Sequence, residues 1–257
     1  MKPPSSPAPA LNLIWCHHAG GHGDSYKAFA TWLPPHWQVT FAEYPGRGLQ
    51  KDLPFERDLT ALAEHLFDRL EPRMGAPYAL FGHSMGSLVA YEIACVAMKR
   101  GHPGPVWLGV SAHRSPTVPV GKRYRLHKLS DAALHQALLA LNGTPRLEPD
   151  PHYLAMVRAD LGACEGYQKA HPPVLNCAMS GYLGDIDPMV SQADMHSWKD
   201  LTTHSWRLRT VPGGHFYFGI RHRQFFMRSL VGDIQAALSA LPAPAHPPFE
   251  LHDQGMT

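Results

Sequence analysis

The segment that most constrains the fold is Gly82-His83-Ser84-Met85-Gly86, which lies between an apolar run and a helical pattern. The apolar run at residues 78–81 predicts a strand, and apolar residues recur at helical spacing over residues 89–96. A strand, a sharp turn and a helix in this order are typical of a nucleophile elbow. The glycines two residues to either side of Ser84 have no side chain, so two backbone segments can approach closely in a tight turn. We therefore expect the serine hydroxyl to project from the sheet.

A serine hydroxyl needs a base, and the base needs a group that orients it. The candidate base is His215, which follows a short strand pattern at residues 206–211 and a pair of glycines. The candidate acids are Asp185 and Asp187, which follow an apolar stretch at residues 174–183 that predicts a strand. Pro188 favours an extended Asp187, whereas Asp185 could instead hydrogen-bond the turn. The order Ser, Asp, His is the one that α/β-hydrolases use.

Two backbone N–H groups are candidates for an oxyanion hole. The N–H of Met85 is predicted to be free because it lies at the N-terminus of the helix that follows Ser84. The second donor is expected in a glycine-containing loop after the early strand at residues 11–16, where we name Ala19. Together with the triad, these groups predict an acyl-transfer hydrolase.

The same loop contains His17, His18 and His22, which could be interpreted as metal ligands. No nearby cysteine or carboxylate cluster completes a coordination set, so we predict no metal. The glycines at residues 20–23 lack the G-x-G-x-x-G spacing of a dinucleotide site, so we predict no cofactor.

Several blocks of the sequence, in the same order, resemble the type II thioesterases that accompany nonribosomal peptide and polyketide synthases. The resemblance covers most of the chain, and its blocks are Ala19-Gly20-Gly21, Glu43-Tyr44-Pro45-Gly46-Arg47-Gly48, Gly82-His83-Ser84-Met85-Gly86-Ser87, Arg158-Ala159-Asp160, Gly184-Asp185-Ile186-Asp187-Pro188 and Pro212-Gly213-Gly214-His215-Phe216. No single block is decisive, and the set is specific.

The resemblance implies an α/β-hydrolase fold, with the acid at Asp187 and the loop donor at Ala19. It also implies that the substrate is an acyl group on the phosphopantetheine arm of an acyl- or peptidyl-carrier protein, removed when it is wrong or stalled. One departure is His17-His18, where the family usually has a proline and a variable residue. A carboxylesterase that cleaves small free esters, or a non-catalytic acyl-binding module, are the alternatives.

Composition agrees with one sizeable α/β core, since the chain has 257 residues and 44% are apolar. The formal net charge is only +2, and no basic run occurs, so we predict no nucleic-acid partner. The first ten residues lack the apolar core of a signal peptide, and no 18-residue apolar run predicts a membrane span. We therefore expect a cytoplasmic monomer. The four cysteines lack CxxC spacing, which favours reduced, buried thiols.

Alternating strand and helix patterns predict a mostly parallel sheet with helices on both faces. We expect a flexible N-terminus at residues 1–10, a single domain at residues 11–241 and a flexible proline-rich tail at residues 242–257. The alternation of strand and helix patterns stops at residues 113–166, where a helical insertion is predicted to form a lid. Met156 and Tyr167 are possible substrate-channel residues, although packing is the alternative role for both.

Overall fold

Six parallel strands form one sheet in this computed structural model, which describes residues 11–75, 77–119, 125–141, 150–219 and 222–241. The strands are β1 (Leu11–Cys16), β2 (Trp37–Phe41), β3 (Tyr78–His83), β4 (Trp107–Ser111), β5 (Ala178–Gly184) and β6 (Trp206–Val211). Their order across the sheet is β2-β1-β3-β4-β5-β6. The strand that precedes Ser84 is therefore central, and both of its neighbours pair with it in parallel.

Helices cover both faces of this sheet. The α-helices in the described part of the chain are α1 (Leu59–Leu70), α2 (Met85–Lys99), α3 (Asp131–Ala140), α4 (Pro151–Gly166), α5 (Gln192–His196) and α6 (Arg223–Ser239). The apolar faces of α1 and α2 pack in one large core, while α6 and the 3-10 segment Gly23–Trp32 pack in a second core. The predicted class, an α/β-hydrolase sheet with helices on both faces, is confirmed.

Strand boundaries differ from the predicted ones at two places. The apolar stretch that begins at residue 174 forms β5 only from Ala178 onward, because before it only an isolated bridge joins Leu175 to Thr202. The alternating pattern at residues 37–44 predicts one strand, whereas β2 ends at Phe41 and the hydroxyl of Tyr44 donates to the carbonyl of His17 over 3.0 Å. The structure thus uses these apolar residues for packing beyond the sheet edge.

The predicted insertion lies between β4 and β5 and contains α3 and α4. Leu134 and Leu138 of α3 pack against Leu154 and Val157 of α4 in a small apolar cluster of their own. This cluster is separate from the two cores of the sheet, and the role of the insertion as a lid stays a prediction. The predicted flexible end at residues 1–10 and the predicted tail at residues 242–257 lie outside the described residues.

In the described part of the chain, no helix is both long enough and apolar enough to cross a membrane. All four cysteines are free and buried, as their scattered positions predicted.

Candidate active site

Ser84 occupies a strained turn between β3 and α2. Its backbone has φ 55° and ψ −126°, in a region that non-glycine residues rarely adopt. The turn is tight: a Cβ atom on Gly82 would lie 1.9 Å from the carbonyl oxygen of Gly86, and one on Gly86 would lie 2.3 Å from the carbonyl oxygen of Cys16. The two glycines are therefore required by close backbone approach, and α2 begins directly against the end of β1.

His215 lies between Ser84 and Asp187. Its Nε2 atom is 3.0 Å from the Ser84 hydroxyl, and its Nδ1 atom is 2.9 Å from Oδ2 of Asp187. Because a carboxylate accepts, Nδ1 carries the proton and donates, which leaves Nε2 as the acceptor that faces the hydroxyl. The imidazole is 4% exposed and the Asp187 carboxylate is fully buried, so water screens this line of contacts weakly.

The two candidate acids have different partners. Asp187 also accepts a hydrogen bond of 2.8 Å from the backbone N–H of Met189, which holds its carboxylate in place. Asp185 is exposed and accepts a bond of 2.8 Å from the backbone N–H of Gly213, on the loop that leads to His215. The structure thus brings Asp187 to the imidazole and places Asp185 in the turn.

Both predicted oxyanion donors are available in the described part of the chain. The N–H of Met85 lies at the first position of α2 and has no acceptor there. In the loop after β1, Gly21 donates its N–H to the carbonyl of His18 over 2.9 Å, and Gly20 donates to the carboxylate of Asp160 over 2.8 Å. Of these three consecutive N–H groups, only that of Ala19 has no acceptor within the described ranges.

A chain of buried polar groups supports the elbow from behind. Nδ1 of His83 lies 2.8 Å from the hydroxyl of Ser111, which lies 2.7 Å from the hydroxyl of Tyr217. Burial lowers the pKa of His83 well below its ordinary value, so this imidazole is neutral. These three hydrogen-bonded side chains join β3, β4 and the segment after His215. None of these contacts was predicted from the sequence.

Ser84 and His215 open into a cavity of about 260 Å³ that faces the insertion. Its other lining residues include Ala112, His113, Arg114, Leu161, Cys164 and Val190. Neither Met156 nor Tyr167, the two possible channel residues, lines this cavity; both are buried, and the hydroxyl of Tyr167 donates to Glu92.

Where α4 meets the end of β4, the wall of the cavity contains a neutral contact beside the charged residues Arg114 and Glu165. The Sγ atom of Cys164 lies 3.3 Å from Nε2 of His113. Burial raises the pKa of Cys164 to about 12 and lowers that of His113 to about 3, so both groups are neutral. Neither residue was predicted from the sequence, although residues 112–114 directly follow the apolar stretch at residues 106–111, at the sheet edge where α/β enzymes bind ligands.

The histidines that could have suggested a metal have other partners. His17 is fully buried and stacks on Tyr44, with ring centroids 3.6 Å apart, and Nδ1 of His18 lies 2.7 Å from the hydroxyl of Tyr26. His22 is 3.8 Å from a carboxylate oxygen of Glu43. Within the described ranges, no group of three or more His, Cys, Asp or Glu side chains could hold a metal ion.

Comparison with known proteins decides the family. A family model described as the thioesterase domain matches residues 11–237. The chain belongs to the thioesterase family. This agrees with the predicted class of activity, hydrolysis of thioester bonds, and with the resemblance on which that prediction rested.

Individual relatives of this thioesterase are similar over most of its length. The thioesterase PikA5 of Streptomyces venezuelae is 32% identical, over 82% of this chain and 77% of its own. A protein named linear gramicidin dehydrogenase LgrE, of Brevibacillus parabrevis, is 30% identical over 87% of this chain and 88% of its own. Among solved structures, the RedJ thioesterase from the prodiginine pathway of Streptomyces coelicolor is 33% identical, with a TM-score of 0.82, covering 91% of this chain and 90% of its own.

Proposed function

We propose that this protein hydrolyses acyl thioesters through an acyl-Ser84 intermediate. One observation carries the proposal: in a chain of the thioesterase family, a serine hydroxyl, an imidazole and a buried carboxylate are joined by contacts of 3.0 and 2.9 Å at the floor of a cavity. The proposed catalytic residues are Ser84, His215 and Asp187.

In the acylation half, Oγ of Ser84 attacks the thioester carbonyl carbon while Nε2 of His215 takes the hydroxyl proton. The buried Asp187 carboxylate stabilises the imidazolium that forms. The N–H groups of Met85 and Ala19 donate to the oxyanion of the tetrahedral intermediate. The C–S bond then breaks, His215 returns the proton to the leaving sulfur, and the acyl group stays on Ser84.

In the deacylation half, water takes the place of the thiol. His215 accepts a proton from the water as its oxygen attacks the acyl-serine carbonyl, and the same two N–H groups stabilise the second oxyanion. When the C–O bond to Ser84 breaks, His215 gives the proton back to the serine oxygen. The products are a free carboxylic acid and the restored enzyme.

The proposed substrate is an acyl group on the phosphopantetheine arm of an acyl- or peptidyl-carrier protein, and its removal is an editing step in nonribosomal peptide or polyketide synthesis. The family resemblance supports this assignment, as do the names of PikA5 and RedJ as thioesterases. A cavity of about 260 Å³ is smaller than sites that bind drug-sized ligands, which favours a short acyl group. A cytoplasmic location and a monomeric state stay predictions.

A second candidate function, that of a dehydrogenase with a dinucleotide cofactor such as a nicotinamide nucleotide, is suggested only by the word dehydrogenase in the name of LgrE. It is disfavoured because the glycines of the loop after β1 lack dinucleotide-binding spacing and because the N–H of Gly20 already donates to Asp160. The two functions give different products, since hydrolysis yields an acid without consuming a nucleotide, whereas reduction yields an aldehyde or alcohol and oxidises the nicotinamide.

The test compares an acetyl-loaded carrier protein with a nitrophenyl acetate ester, using the wild type and Ser84→Ala, with and without reduced nicotinamide nucleotide. We expect the wild type to release acetic acid from the carrier whether or not the nucleotide is present, and Ser84→Ala to lose this activity. Cleavage of the free ester alone would favour the carboxylesterase alternative. No turnover of either substrate would favour the acyl-binding module.

A further inference from the structure

Helix α4 of the insertion has two faces with different partners. On one face, Arg158 donates to the carbonyl of Leu129 over 2.7 Å and to Asp131 over 2.6 Å, and Glu165, two turns later, accepts the N–H of Leu126 over 2.9 Å. These contacts hold the rest of the insertion. On the other face lies Asp160, whose carboxylate is buried against the main body of the fold.

The Asp160 carboxylate has three hydrogen bonds to residues far away in sequence. Its Oδ1 accepts from Nη2 of Arg47 over 2.7 Å, and its Oδ2 accepts from Nη1 of Arg47 over 2.7 Å and from the backbone N–H of Gly20 over 2.8 Å. The two side chains are 1% and 2% exposed. A bidentate pair at this depth is geometrically fixed, because a shift of either partner would leave a buried charge unpaired.

The hydrogen bond from Gly20 controls the loop that carries Ala19. Gly20 has φ +74°, and a Cβ atom there would lie 2.5 Å from Cγ2 of Val157 on α4. The loop therefore lies against α4 in a conformation that glycine accommodates readily. Because the N–H of Gly20 belongs to the peptide unit directly after Ala19, fixing this unit on Asp160 restricts how the N–H of Ala19 can be oriented.

Arg47 fixes the same loop from the other side. Its Nη1 atom donates to the carbonyl of Gly21 over 3.3 Å as well as to Asp160. The first and the third peptide units after Ala19 are thus hydrogen-bonded to one buried ion pair. The bond from Gly20 reaches α4 directly, and the bond to Gly21 comes from the arginine that is paired with α4.

We propose that Asp160 and Arg47 are positioning residues, which hold the loop after β1 so that the N–H of Ala19 points at the oxyanion, and which make this arrangement depend on the docking of α4. The inference rests on the proposed function, in which Ala19 is an oxyanion donor. Neither residue lines the cavity with Ser84, so their effect on the reaction is exerted through the loop.

The test uses two variants. Asp160→Asn removes the charge while keeping the size of the side chain, and Arg47→Lys keeps the charge but loses the bidentate hydrogen bond to Asp160. The matched control is Asp233→Asn. Asp233 is a buried carboxylate bonded to Arg209 over 2.7 Å, and it does not line the cavity with Ser84. If Asp160→Asn does not fold, Arg47→Lys carries the same measurements.

Two quantities are measured on each folded variant: kcat and KM for an acyl-pantetheine thioester, and the affinity for an alkylboronic acid, which forms a tetrahedral adduct on Ser84. We expect kcat and boronate affinity to fall together by about ten- to a hundredfold in the Asp160 and Arg47 variants, with KM within about threefold, because one oxyanion donor is misaligned. Asp233→Asn is expected to lower the melting temperature only.

Boronate affinity within about twofold of wild type in the Asp160 and Arg47 variants would overturn the proposal, even if their melting temperatures fall. This outcome differs from failure of the proposed function. A wild-type enzyme that leaves carrier-bound acyl groups intact would refute the carrier substrate, whereas boronate binding would still decide whether the ion pair positions the loop.

Discussion

Replacing Asp187 by asparagine tests the triad sharply, because both groups that the carboxylate contacts are donors. Its Oδ1 accepts the N–H of Met189 over 2.8 Å, and its Oδ2 faces Nδ1 of His215 at 2.9 Å. Asparagine has one acceptor oxygen and one NH₂ group, so the NH₂ group must face one of these donors. If it faces His215, the ring proton moves to Nε2, which can then no longer accept the proton of Ser84.

The size of the loss follows from the alternative orientation of the amide. If the NH₂ group faces Met189 instead, the correct imidazole tautomer is kept, at a cost of about 1–3 kcal/mol for an unpaired buried N–H. The charged hydrogen bond that stabilises the imidazolium is lost as well, which costs about a further 1.5–3 kcal/mol. At about 1.4 kcal/mol per tenfold, kcat/KM is expected to fall by roughly 10² to 10⁴.

The assay follows thiol release from an acyl-pantetheine thioester, with melting temperatures measured in parallel. Asp185→Asn is the matched control: this side chain is exposed and accepts the N–H of Gly213, a role that an asparagine oxygen can keep. We expect its kcat/KM to stay within about threefold of wild type. An Asp187→Asn enzyme with more than a tenth of wild-type kcat/KM, or equal losses in both variants, would refute the assignment of the acid.

Two further predictions concern the elbow and the buried histidines. Gly86→Ala is expected to abolish Ser84 labelling by a fluorophosphonate and to lower the melting temperature, because its Cβ would lie 2.3 Å from the carbonyl oxygen of Cys16. In the control Gly162→Ala, the added Cβ would meet no atom within 4 Å, so this variant should retain labelling. Burial holds the pKa values of His17 and His83 well below the ordinary value of about 6.5, to which unfolding returns them. Since the unfolded chain binds more protons below that pH, urea titrations should show the free energy of unfolding falling with decreasing pH, by about 1.4 kcal/mol per pH unit for each histidine; a free energy that is flat between about pH 7 and pH 5 would contradict this.

Much of the fold could be predicted because its signals are local. The apolar run before Ser84 and the helical spacing after it required no distant partner, and the strands at residues 11–16 and 206–211 have the predicted boundaries. The strand start predicted at residue 174 was wrong, because an apolar run does not show where pairing in the sheet begins; only Leu175 pairs there.

The candidate site was less accessible to sequence reasoning. Asp185 and Asp187 have the same chemistry two residues apart, and the hydrogen-bond partner of each depends on how the chain turns after Gly184. The contact between Asp160 and Arg47 joins residues 113 positions apart, so no local pattern could reveal it. An acid on the buried face of α4 was nevertheless a signal, since a buried carboxylate requires a partner.

Ser84 is proposed to carry the acyl group during turnover. The most direct measurement mixes the enzyme with acetyl-loaded carrier protein, stops the reaction within its first turnover and determines the mass of the peptide that contains Ser84. We predict one added acetyl group on this peptide, at a level that rises before free acetic acid appears and is absent from Ser84→Ala. Release of acetic acid at the wild-type rate with no acetyl group on Ser84 at any time would rule out the acyl-serine intermediate.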